Sequence, residues 1–149
     1  MSARLPFSVV TKPTGAACNL DCQYCFFLSK ELLYDAAAQT MSEQTLERYV
    51  EAFLESSPDG EVTMLWQGGE PTLRGLHFFE RLMDLCERCR RPTQSVRHAL
   101  QTNGTLVTDE WARFFADHGF LVGVSIDGPA PLHDAYRINR GGRGTHAMV

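Results

Sequence analysis

Four short runs rich in β-branched and aromatic residues recur along the chain, with amphipathic helical periodicity between them, and this alternation constrains the fold most. Residues 7–11 (FSVVT), 61–67 (EVTMLWQ), 95–101 (SVRHALQ) and 120–126 (FLVGVSI) read as strands. The last has the composition of a strand buried on both faces. After Ser42, a plausible N-cap, Leu46, Tyr49, Val50, Phe53 and Leu54 repeat at helical spacing until Pro58-Asp59-Gly60. Residues 78–89 place Phe78, Leu82, Cys86 and Cys89 on one helical stripe. Thr108 caps a third helix carrying Trp111, Phe114, Phe115 and His118, which Gly119 ends. Strands alternating with such helices predict βαβ units and an α/β fold with a parallel sheet. Residues 34–40 (YDAAAQT) read as a linker and residues 141–144 as a loop.

Length then sets how much of such a fold is present. An eight-unit (β/α) barrel takes about 250 residues, roughly 31 per unit. The 149 residues here supply four to five units. The expectation is the N-terminal part of a partial barrel, truncated after about four strands, with an unpaired sheet edge.

Composition excludes several classes. Fourteen basic against eighteen acidic residues leave a net charge of −4, which argues against a nucleic-acid groove or a polybasic membrane patch. No apolar run approaches the roughly 18–20 residues needed to span a bilayer, and residues 1–7 lack the apolar stretch of a secretory signal. A soluble, cytoplasmic protein is expected. In a reducing compartment, clustered thiols among the five cysteines point to metal rather than disulfides.

Each strand runs into a polar loop, and in parallel α/β architectures these strand ends share the rim that hosts the site. The loops are CNLDCQYC (residues 18–25), QGGEP (67–71), QTNGT (101–105) and SIDGP (125–129). Turn geometry accounts for their Gly and Asn residues, but not for the cysteines, Gln67, Glu70 or Ser125. The spacing Cys18-x3-Cys22-x2-Cys25 lets three thiolates wrap a compact inorganic body, iron–sulfur or zinc. Structural zinc wants four closed ligands. Three cysteines on a four-iron cluster leave one iron open, which is a catalytic feature.

The three-cysteine motif with Tyr24 before its last member resembles the signature of the radical S-adenosylmethionine superfamily. Gln67-Gly68-Gly69-Glu70-Pro71 resembles that family's glycine–glycine–glutamate motif. Residues 12–27, together with QTNGT, SIDGP and Tyr136-Arg137-x-x-Arg140-Gly141-Gly142, further resemble anaerobic sulfatase-maturating enzymes. The resemblance implies a [4Fe-4S] cluster on Cys18, Cys22 and Cys25, its fourth iron chelated by S-adenosylmethionine. It implies that Tyr24 (mainly through its backbone) and Gly69 line the cofactor, that Glu70 helps hold its amine, and that Ser125 and Arg137 take its carboxylate. It implies, too, that Gln67 points toward where the family places the substrate. The implied reaction is reductive cleavage to a 5′-deoxyadenosyl radical, which in maturases oxidises a Cys or Ser of an unfolded sulfatase polypeptide to formylglycine. An external electron donor is required. Residues 1–149 then correspond to part of the core domain, without the cysteine-rich auxiliary cluster domain of longer relatives.

Other readings remain: a non-catalytic remnant or iron–sulfur-binding module, and a structural zinc module. Cys86 and Cys89 are expected to be packed or half-exposed thiols, and no histidine has companion ligands. Trp66 and Trp111 are expected in the core, Asp127 as shaping the turn before Pro129, and Arg140 and Arg143 in a solvated loop.

Overall fold

The computed structural model of the chain describes residues 5–33 and 40–149. Residues 1–4 of the leader reading and residues 34–39 of the linker reading lie outside them. One parallel sheet contains β1 (Val10–Thr11), β2 (Gly60–Trp66), β3 (Gln94–Thr102) and β4 (Leu121–Val124), side by side in chain order. Each strand is followed by a helix: α1 (Glu43–Ser56), α2 (Leu76–Cys89), α3 (Asp109–Asp117) and α4 (Ala130–Tyr136). The register pairs Val10 with Leu65, Val62 with Val96, and Ala99 with Leu121. This is the expected opening of an α/β barrel.

Local chemistry sets the helix ends. The Ser42 hydroxyl accepts the Thr45 N–H at 3.1 Å, and Thr108 does the same for Trp111 at 3.5 Å. After α3 the chain turns at Gly119, whose φ of +63° suits glycine. Helix α4 has no counterpart in the sequence reading. It has seven residues, too few for a periodic signal, and it starts from the Pro129 carbonyl, which accepts the Leu132 and His133 N–H groups.

Alternation along the central strands divides the sheet into two unlike faces. Val62, Met64, Trp66, His98 and Leu100 point to the helices and are buried there with Leu46, Phe53, Phe79, Leu82 and Trp111. Burying each such side chain contributes about 1.5–3 kcal/mol. Trp66 stands edge-on to Tyr49 and Phe79, with ring centroids 5.9 and 5.8 Å away, and its Nε1–H donates to His98 Nδ1 at 3.3 Å.

On the other face Val10, Leu65, Ala99, Gln101 and Leu121 border an open hollow of about 380 Å³. The expectation that residues 120–126 are buried on both faces fails here. Leu121, beside Ala99 on the hollow face, is 74% exposed because no layer of described residues covers that face. Val124, on the same side as Thr102, is 47% exposed at the sheet edge, where among the described residues β4 pairs with β3 alone. The first strand is also shorter than expected: only Val10 and Thr11 pair with β2, while Phe7 packs edge-on against Phe53 at 5.4 Å.

Candidate functional site

The four strand ends meet at one rim, as expected, around a cavity of about 320 Å³. Its wall includes Cys18, Cys22, Tyr24, Cys25, Gln67, Gly69, Ser125 and Arg137. Eight of the nine residues singled out above therefore surround one space. The exception, Glu70, lies fully buried behind the wall.

The cysteine loop owes its shape to hydrogen bonds with two other segments, the loop after β2 and residues 136–140. From the loop after β2, the Gly69 N–H donates to Gly15 O and the Glu70 N–H to Ala17 O, both at 2.9 Å. On the opposite side, the Asp21 N–H reaches Ile138 O at 2.8 Å and the Gln23 N–H reaches Tyr136 O at 3.0 Å. Arg140 Nε donates to Cys18 O at 3.0 Å. Arg140 is exposed, as expected of a solvated loop residue, but its guanidinium is also anchored to the cysteine loop.

Gly69 is fixed by space. A Cβ built there lies 1.9 Å from Ala17 O and 2.5 Å from Ala17 C, so any side chain collides with the backbone next to Cys18. Glu70 ties the same loop to β3. Its Oε1 accepts from the Thr72 N–H, the Thr72 hydroxyl and the Thr102 hydroxyl at 3.0, 2.7 and 2.8 Å. Oε2 accepts the Asn103 N–H at 2.7 Å and retains acceptor capacity.

Arg137, at the end of α4, donates from Nε to Asp127 Oδ1 at 2.9 Å. The Tyr24 hydroxyl donates to Asp127 Oδ2, and the guanidinium lies over the Tyr24 ring at 5.5 Å. Asp127 thus does more than shape a turn: it joins the cysteine loop to α4. Burial works against its ionisation, but the bonds from Tyr24 and Arg137 outweigh that and hold its carboxyl below the usual range. Burial, then the bond to Asp127, push the Tyr24 phenol up to about 12. Ser125 Oγ accepts from Gln101 Nε2 at 2.8 Å. Gln67 and Gln101 border both this cavity and the open hollow beneath it.

Burial raises the Cys18 and Cys22 thiols, with Arg137 opposing at Cys22. Such sulfurs become thiolates when a bound cation meets them. Among the described residues, no three Cys, His, Asp or Glu side chains converge closely enough to hold a single ion. Cys18, Cys22 and Cys25 all line the one cavity, and an all-thiolate donor set is one that suits an iron–sulfur cluster or zinc. Asn103, read in the sequence only as part of a turn-bearing loop, directs its amide at the Cys18 sulfur. Its signal was its place in QTNGT, and nothing in that string distinguishes a sulfur donor from a turn former. Cys86 is core-buried and Cys89 half-buried.

A family profile described as Radical SAM superfamily matches residues 13–149. The chain is 41% identical over 145 residues to a serine-type anaerobic sulfatase-maturating enzyme of Bacteroides thetaiotaomicron, covering 97% of this chain and 35% of that one. It is 39% identical to a cysteine-type anaerobic sulfatase-maturating enzyme of Clostridium perfringens, covering 97% of this chain and 39% of that one. A solved structure of native anSMEcpe with bound AdoMet and Cp18Cys peptide superposes with a TM-score of 0.86 at 39% identity, over 97% of this chain and 38% of that one. The chain thus spans little more than a third of the length of these relatives. No helix of the described residues is long and apolar enough to cross a membrane.

Proposed function

The chain belongs to the radical SAM superfamily, and from that premise we propose that it is the cluster- and cofactor-binding part of a sulfatase-maturase-type enzyme. In this reading Cys18, Cys22 and Cys25 hold a [4Fe-4S] cluster whose fourth iron takes S-adenosylmethionine. The observation that carries it is the convergence of three thiols, Gly69, Ser125 and Arg137 on one cavity. When bound and reduced by an external donor, these groups supply reductive cleavage to methionine and a 5′-deoxyadenosyl radical.

The chain's own residues bind and orient. Among the described residues Arg137 is paired through Nε, so its two terminal nitrogens remain for the cofactor carboxylate. Ser125 adds a hydroxyl on the same wall. Gly69 leaves room beside the cysteine loop, and Tyr24 roofs Arg137. Glu70 helps hold the amine from behind the wall, by fixing Thr72, Thr102 and the Asn103 N–H beside the Gly69 loop. Gln67, bordering both the cavity and the open sheet face, is placed to meet substrate. That substrate is a Cys or Ser on an unfolded sulfatase segment, oxidised to formylglycine, because relatives carry the maturase description.

The test is anaerobic reconstitution with iron and sulfide, reduction, and assay for 5′-deoxyadenosine from S-adenosylmethionine. Its production supports the reading. A cluster that forms and yields none overturns the catalytic part and leaves an iron–sulfur-binding module. Zinc without iron or sulfide overturns the whole.

A further inference from the structure

We infer that Asn103 sets the reduction potential of the cluster through a hydrogen bond from its side-chain amide to the Cys18 sulfur. This rests on the cluster assignment proposed above.

The bond runs from Nδ2 to Sγ at 3.7 Å, within the range of sulfur acceptors. What makes it directional is a closed ring of partners. Asn103 Oδ1 is committed to Thr105, accepting its N–H at 3.0 Å and its hydroxyl at 2.7 Å. The Thr105 hydroxyl in turn accepts from Asn19 Nδ2 at 2.9 Å, and Asn19 Oδ1 accepts from Asn103 Nδ2 at 2.9 Å. Each amide in the ring has one consistent orientation, and that orientation leaves Asn103 Nδ2 as a donor facing Cys18. The side chain is buried, and its backbone N–H is pinned by Glu70 at 2.7 Å. The amide is therefore held in place from three sides.

Reduction adds one electron from an external one-electron donor to the cluster; no bond forms or breaks and no proton moves. The added charge is shared by the ligating sulfurs. In a partly buried site, with the Glu70 carboxylate nearby, that charge is costly. N–H donors to sulfur offset the cost and raise the potential. The Leu20 N–H also donates to Cys18 Sγ, at 3.4 Å, but it is backbone, and of the substitutions only proline, which would also restrain the loop, removes it. Asn103 is the adjustable donor. It is also the point at which the end of β3 communicates with the cluster loop. Asn103 lines the same cavity, but its bond to the Cys18 sulfur acts on the cluster without touching cofactor or substrate, so the role inferred is that of a positioning and tuning residue.

The experiment is a redox titration of the anaerobically reconstituted full natural chain, followed by electron paramagnetic resonance, with iron and sulfide measured per chain. Asn103→Ala should make reduction about threefold to tenfold less favourable at a fixed potential. A tenfold change is about 59 mV toward the negative for one electron. Asn103→Asp keeps the shape but replaces the donor with a charged oxygen, so it should shift the potential at least as far. Thr105→Val leaves Asn103 intact and removes one of the two contacts on its Oδ1, so it should shift the potential the same way by less. An unchanged potential in Asn103→Ala or Asn103→Asp, at wild-type iron content, overturns the inference. Failure of all three variants to load iron also overturns it, by showing that the ring only shapes the loop. A wild-type chain without a [4Fe-4S] signal overturns the proposed function itself; a normal wild-type signal with unmoved variants sinks only the role of Asn103.

Discussion

Cys86 and Cys18 are the same residue in two regions of this molecule, and their surroundings have almost nothing in common. Cys86 sits on the inner stripe of α2, 3% exposed, with its thiol donating to Met64 Sδ at 3.7 Å. Burial, with the charges of Cys89 and Glu87 adding, pushes it up to about 12, so it stays a small apolar group in the core. Cys18 sits in a loop with no regular structure, bounded by three other loops, and its sulfur accepts hydrogen bonds from Leu20 and Asn103. Core packing needs only volume and apolarity at helical spacing. A ligating loop needs its backbone donors and acceptors satisfied by distant segments so that its sulfurs face inward.

The comparison breaks most sharply on substitution of the thiols. Cys18→Ala, Cys22→Ala and Cys25→Ala should each reduce cluster iron and sulfide to background, whereas Cys86→Ala and Cys89→Ala should retain both. Cys86→Ala should show its loss in the urea midpoint, at about 1 kcal/mol. Iron content that followed Cys86 or Cys89 would reverse the assignment.

Gly69→Val comes next. If Gly69 only lined the cofactor, valine there would block cofactor approach and spare the iron. The 1.9 Å approach of a Cβ to Ala17 O changes that expectation. The variant should displace the loop that carries Cys18 and lose cluster loading together with cofactor binding. Full iron content with cofactor binding abolished would show that the loop yields without moving its sulfurs.

Arg137→Lys keeps the charge but loses the fork and the stacking over Tyr24. S-adenosylmethionine binding, measured by calorimetry on the cluster-loaded protein, should weaken roughly 10- to 100-fold. Asp127→Asn should weaken it less, because Arg137 keeps its charge but loses its ionic partner. Equal effects would mean that Asp127 itself touches the ligand.

The core side of the comparison carries no effect on cluster or cofactor binding, only one on stability, and it depends on pH. Burial, with the nearby charge of His118 adding, lowers His98 to about 4 from an ordinary 6.5. Between those values the unfolded chain binds the proton and the folded chain does not. Stability is therefore full above 6.5 and falls as pH drops toward 4, by roughly 3 kcal/mol from this residue. The difference in urea midpoint between wild type and His98→Gln, followed across that range on cluster-free protein, should show this slope. A pH-independent difference would refute it.

Much of this was legible in the residues. Leu46, Val50, Phe53 and Leu54 announce α1 because a helix face must be apolar to pack, and Gly119 announces the end of α3. The alternation of strands and helices pointed to the parallel sheet, and the cysteine spacing marked residues that line the cavity at the strand ends. What stayed hidden depends on contacts between segments distant in sequence. Exposure of Leu121 depends on what lies across the sheet, which the string FLVGVSI does not encode. Helix α4 is too short to carry a period. Asn103, Asp127 and Arg140 are ordinary loop residues until the fold places an amide at Cys18 Sγ, a carboxylate between Tyr24 and Arg137, and a guanidinium on Cys18 O.

The central claim is that three cysteines hold a four-iron cluster with one iron left open to the cofactor. The most direct measurement is the electron paramagnetic resonance spectrum of the reduced, reconstituted protein with and without S-adenosylmethionine. A [4Fe-4S] signal whose g-values shift on addition of the cofactor is the predicted result. A spectrum that the cofactor leaves unchanged would contradict it, because the fourth iron would then be closed.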